Sequence, residues 1–155
     1  MADDNGHSDI KTALLDAVKM AMRARDAQRL GTLRLLTAAI KQREVDTRAV
    51  LCDADVIAVL DRELKQRRES ISQYAQAGRA DLVAVEQAEV DIIQEFLPRQ
   101  LDAVEIDALI DQAIVESGAS GMRDMGKVMG LLRPRLQGRA DVGAASAVVK
   151  ARLAG

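Results

Sequence analysis

Apolar residues recur at helical spacing along almost the whole chain, and no stretch alternates apolar and polar residues like a half-buried strand. That period gathers the apolar side chains onto one face of each successive helix, so the chain must fold by packing helix on helix. The residues that fill such cores agree with this. Phe96 and Tyr74 are the only aromatic residues and Trp is absent. Leu, Ile, Val, Ala and Met must then do the filling, which suits helices better than sheets. The fold class expected is all-α.

Stripes and caps divide the chain into seven helices. The first is expected over about 9–25, with Ile10, Leu14, Ala17, Val18, Ala21 and Met22 on one side. Asp26 is placed to cap a second over about 27–48, and Asp53 a third over about 54–77 that Gly78 stops. A fourth spans about 80–96. Pro98 then breaks the pattern, making Leu97–Pro98 the expected boundary between a four-helix unit, 1–97, and a three-helix domain, 98–155. Beyond it Asp102 and Glu105 read as a capping box and Gly118 as a helix stop. Pro134 is expected to end the sixth helix after Leu132, and Asp141 to cap the seventh.

The tight turn at Gly78 makes the third and fourth helices antiparallel neighbours. Residues equidistant from the turn then face each other, which sets Arg68 opposite Glu89. The expectation is a partly buried ion pair that fixes register between the two helices. A functional role for Arg67 and Arg68 is the alternative.

Composition narrows the function classes. A net charge of −2 argues against broad, non-specific nucleic-acid binding while leaving room for a local basic patch. The single cysteine, Cys52, excludes an intramolecular disulfide and argues against a cysteine metal cage. Met1 to Asp9 is polar and acidic, unlike a signal peptide. No apolar run reaches the roughly 18–20 residues needed to cross a bilayer. The cytoplasm is the expected compartment. The sole histidine, His7, lies in that polar stretch, and no phosphate-cradling loop, zinc-helix motif or nucleophile elbow is present. No catalytic residue, metal or cofactor is expected.

The glycines say more. Gly126 and Gly130 stand four apart on one face of the sixth helix, and in a helix each costs about 1 kcal/mol relative to Ala. Close approach of another helix, or of a ligand backbone, would offset that. Lys127, Arg133, Arg135 and Arg139 cluster around them, and Gly138-Arg139-Ala140-Asp141 forms a turn followed by a cap, where amides and arginines are expected to converge on phosphate. A second basic series, Arg34, Lys41 and Arg48, runs at seven-residue spacing along the second helix. With so few aromatics, RNA would be held by phosphate, sugar and shape rather than by stacking.

Several segments in order resemble the GatB/YqeY family: Arg29-Leu30-Gly31-Thr32-Leu33-Arg34-Leu35-Leu36, Arg67-Arg68-Glu69-Ser70-Ile71, Ala77-Gly78-Arg79-Ala80-Asp81-Leu82, Phe96-Leu97-Pro98 and Met125-Gly126-Lys127-Val128-Met129-Gly130. The resemblance implies a YqeY-type N-terminal helical domain. It also implies a C-terminal domain similar to the tail of the B subunit of tRNA-dependent amidotransferases, carbon–nitrogen ligases with glutamine as amido donor. In those enzymes the tail helps to recognise tRNA and the catalytic domains, which this chain is expected to lack, lie elsewhere. Gly126, Gly130, Gly138 and Lys127 fit the tail motif, while Leu132-Arg133-Pro134 departs from it.

The leading expectation is a non-catalytic accessory module that binds tRNA, or a tRNA-handling complex, through Lys127, Arg133, Arg135 and Arg139, with Gly126 and Gly130 allowing close approach. A helical adaptor for a protein partner, its N-terminal helices presenting a groove, comes second. A subunit of a multi-chain amidotransferase comes third, and an autonomous enzyme last.

Overall fold

The computed structural model describes residues 7–155. The polar stretch Met1–Gly6, read above as unlike a signal peptide, lies outside the described residues. Seven α-helices and one short 3-10 turn make up the secondary structure, with no strand among the described residues: α1 Asp9–Ala24, α2 Ala27–Thr47, α3 Asp53–Gln76, α4 Ala80–Phe96, α5 Ala103–Ser117, the 3-10 turn Met122–Asp124, α6 Met125–Leu136 and α7 Val142–Ala154. The chain divides into two compact units, one ending at Leu97 and the other running from Pro98 to Gly155. Among the described residues no helix is long and apolar enough to cross a membrane.

In the first unit, α1–α4 enclose a core of Leu14, Leu33, Leu36, Ile40, Val56, Leu60, Leu64 and Ile93, each almost entirely withdrawn from solvent. Every such side chain contributes roughly 1.5–3 kcal/mol by burial, and α3 against α4 is the most extensive contact. The ends are fastened by polar groups. Ser8 caps α1 by accepting from the Lys11 amide at 3.1 Å. Arg29 donates to both Glu95 oxygens, at 2.6 and 3.1 Å, tying the start of α2 to the end of α4. Lys11 Nζ lies 2.9 Å from each oxygen of Glu44, which also accepts from the Leu51 amide at 3.1 Å. That hydrogen bond from Lys11 is the chief reason the Glu44 carboxyl is held below the usual carboxylate range.

Two local expectations are corrected. Asp53 does not cap α3; it is the first residue of that helix, and its carboxylate accepts from Ser8 Oγ at 2.5 Å and the Ile10 amide at 3.2 Å. The cap position belongs to Cys52, whose amide donates to Asp55 at 3.3 Å. Glu89 is paired with Arg67, not Arg68: Arg67 Nε donates to Glu89 at 2.9 Å, and another guanidinium nitrogen donates to Glu63 at 2.6 Å. The reason is helical phase. Arg67 continues the buried row of Leu60 and Leu64 at four- and three-residue steps, whereas Arg68 is rotated about 100° onward into solvent. Counted from Gly78 itself, Arg67 and Glu89 stand at equal distances along the chain.

Candidate nucleic-acid interface

The second unit is built around α6. Asp102 and Glu105 form the capping box of α5, with side chain to amide distances of 2.8 and 3.0 Å, and Gly118 ends that helix in the left-handed conformation at φ 66°. Asp141 caps α7 by accepting from the Ala144 amide at 3.2 Å. The core holds Ile110 and Ala113 of α5, Val128, Met129, Leu132 and Leu136 of α6, and Ala145 and Val149 of α7. All of α6's buried residues lie on one side, so its opposite side faces solvent. That outer side carries Gly126, Gly130 and Pro134 in one row at four-residue steps, all exposed. At 3.6 residues per turn, Lys127 flanks the row on one edge and Arg133 on the other.

No neighbour explains the glycines. A methyl group added at Gly126 or Gly130 would meet nothing within 4 Å. Of the two offsets offered by the sequence, packing against another helix of the same unit is therefore excluded. Pro134 also departs from expectation: α6 continues through it to Leu136. A proline so near a helix end removes one amide donor, and the last turn is recovered by the Gln137 amide donating to the Arg133 carbonyl at 3.0 Å.

The four cations expected to act together divide into two pairs. Lys127 is largely exposed and sits 3.9 Å from Asp124, and Arg133 is exposed with no ion-pair partner among the described residues. Arg135 is held by an ion pair, and Arg139 by a single hydrogen bond to a backbone carbonyl. Arg135 donates to Glu116 of α5 at 2.7 Å, a bond that holds the Glu116 carboxyl below its ordinary range. Arg139 Nε donates to the Arg99 carbonyl at 3.3 Å, and its own carbonyl accepts from the Leu101 amide at 2.8 Å. The turn at Gly138 is likewise internal, since the Arg139 and Ala140 amides both donate to the Leu136 carbonyl at 2.8 and 2.9 Å. Those two amides are thus engaged within the turn rather than free for phosphate. Sequence reasoning also passed over Arg123, exposed on the 3-10 turn and without an ion pair among the described residues. Its spacing of four from Lys127 was the available signal.

No cluster of three or more metal-ligating side chains occurs among the described residues. His7 is exposed and lies 2.9 Å from Asp9, and Cys52 Sγ donates to Asp55 at 3.2 Å.

The family model described as Yqey-like protein matches residues 11–153. The chain belongs to the YqeY-like family. This YqeY-like chain is 31% identical over 126 residues to the protein named "Altered inheritance of mitochondria protein 41, mitochondrial" of Pyrenophora tritici-repentis, covering 79% of the chain and 68% of that protein. Its namesake in Eremothecium gossypii is 35% identical over 97 residues, 62% of this chain and 53% of the relative. An uncharacterized protein of Schizosaccharomyces pombe is 30% identical over 89 residues, 57% of this chain and 69% of the relative. The YqeY-like chain thus spans from 53% to 69% of the length of these curated relatives. Two of the three are named as mitochondrial proteins, which overturns the expected cytoplasmic compartment. That expectation rests on the polar start Met1 to Asp9 and the lack of a membrane-length apolar run, with the cytoplasm as the default.

Proposed function

We propose that this YqeY-like protein is a non-catalytic accessory module that holds RNA, with tRNA the leading candidate, on the outer side of α6. The observation that carries the proposal is the exposed row of Gly126 and Gly130, which no packing in its own unit uses, set between Lys127 and Arg133. A helix surface stripped of side chains lets a sugar–phosphate backbone approach the main chain closely. Cations on either edge then meet the phosphates that flank the contact. The resemblance read in the sequence between this segment and the amidotransferase B-subunit tail is in keeping with that reading.

The contact set is smaller than the sequence alone suggests. Lys127 and Arg133 touch the phosphates, with Arg123 in reach of the next one, while Arg135 and Arg139 maintain the fold of the unit. Full-length protein titrated with labelled bulk tRNA at two salt concentrations tests this, alongside Lys127→Glu/Arg133→Glu. A mitochondrial tRNA preparation belongs in the same series because of the relatives' names. Charge-assisted contacts are worth about 1.5–3 kcal/mol each, so the double variant is expected to bind at least roughly a hundredfold more weakly. Its salt slope should fall by about 2. Undiminished binding by that variant would defeat the proposal.

A further inference from the structure

The first unit carries a surface of a different kind. A groove of about 440 Å³ opens between α1 and α2, with Leu15 on one wall, Arg34, Ala38 and Lys41 on the other and Ile40 at its base. The acidic group facing it is Glu44, which pairs with Lys11, accepts from the Leu51 amide and lies within the field of Lys41. Arg34 and Lys41 are exposed and have no ion-pair partner among the described residues, so with Lys11 the groove sets three cations against one carboxylate and presents net positive charge. They sit two turns apart, about 10.5 Å along the helix axis, and Arg48 continues the series where α2 ends. The walls are partly apolar: Leu15 is 46% exposed, and Leu35 and Val45 stand open on the adjoining face of α2 at 53% and 59%.

We propose that this groove docks an acidic amphipathic helix of a partner protein. Its apolar side would lie on Leu15 and Ala38, and carboxylates seven residues apart would meet Arg34 and Lys41. Charge complementarity selects acids, the seven-residue pitch selects a helix, and the apolar walls favour a peptide over a phosphate backbone, which would leave them uncovered. The site shares no residue with the α6 surface, so the two proposals stand or fall separately.

Selection of a displayed library of helical peptides against the full-length protein tests it. The expected result is enrichment of Glu or Asp at seven-residue spacing, interleaved with Leu, Ile or Met at three- and four-residue steps. Synthetic copies of the enriched peptides should bind at least tenfold more weakly to Arg34→Glu/Lys41→Glu, and also to Leu15→Gln. All three side chains are exposed, and an unchanged thermal melt confirms that each variant is folded. Lys127→Glu/Arg133→Glu should bind the peptides as the parent protein does. No enrichment, enrichment without acids, equal binding by both groove variants, or tRNA binding that disappears in Arg34→Glu/Lys41→Glu would each overturn the proposal.

Discussion

Replacing Gly130 with Ala should make the protein more stable and its RNA binding weaker, a combination that separates the two explanations of an exposed glycine. Gly130 lies in the middle of α6, its φ is not in the left-handed region, and a Cβ there meets nothing within 4 Å. The substitution therefore gains the full helix-propensity difference, about 0.8–1 kcal/mol, with no steric term against it. For a unit the size of Pro98–Gly155 melting by itself, that corresponds to a rise of roughly 4–8 °C. Binding moves the other way. A partner backbone resting on the Gly130 Cα must withdraw by about the length of a C–C bond, which lengthens the contacts of Lys127 and Arg133 together. A loss of roughly tenfold, near 1.4 kcal/mol, follows. The measurements are thermal melts followed by circular dichroism and tRNA titrations at one fixed salt concentration. A variant that is stabilised and binds as before would show that the glycine row is no contact surface. A destabilised variant would show that the space around Gly130 is not open.

Three further outcomes are expected. Arg67→Met leaves Glu63 and Glu89 without their shared partner and should destabilise the first unit by about 2–4 kcal/mol in urea unfolding, since both carboxylates keep some contact with water. Arg68→Ala should change stability by less than about 0.5 kcal/mol, and the reverse order of effects would refute the pairing. Glu44 has a folded pKa below its unfolded value of about 4.3, so its stabilisation is complete above that pH and is lost as pH falls through the folded value. The melting temperatures of the parent and Lys11→Met should accordingly differ at pH 7 and draw together as the carboxyl is protonated in acid; a gap that stays constant into acid would speak against the pair. Arg25 holds a left-handed conformation at φ 55° where α1 ends, so Arg25→Gly should raise stability in urea by up to about 1 kcal/mol; a lower midpoint would contradict that reading.

What was legible in the sequence was what local chemistry decides. Apolar stripes placed all seven helices, and Asp26, Asp102 and Asp141 cap α2, α5 and α7 because a cap needs only its own next three amides. What was not legible depends on groups distant in the chain. Asp53 has the chemistry of a cap yet serves Ser8 and Ile10, more than forty positions away. Arg135 and Arg139 read as free cations until Glu116 and the Arg99 carbonyl are seen beside them. The glycine row could be found by spacing, but whether it meets a helix or open solvent is a property of the packed unit. Arg34 and Lys41 show the converse: a seven-residue repeat that carries little weight along the chain acquires meaning once α1 supplies the opposite wall.

The composition of α6 makes sense only when its two sides are weighed against each other. The inner side is fully committed to the core through Val128, Leu132 and Leu136, each at 0% exposure, with Met129 beside them. The outer side places Gly126, Gly130 and Pro134, the poorest helix formers available, in a single row. Gly126 lies in the first turn and Pro134 in the last, where the penalties are smaller, but Gly130 alone forgoes about 1 kcal/mol. A unit of this size is stable by only about 3–9 kcal/mol in all. Gly126 and Gly130 would each accept a Cβ with nothing within 4 Å, so nothing in the packing of the unit asks for glycine there. A smooth outer side is of use only to something that comes from outside the unit. On the proposed reading that something is negatively charged, met by Arg133 on one edge and by Lys127, beside Asp124, on the other.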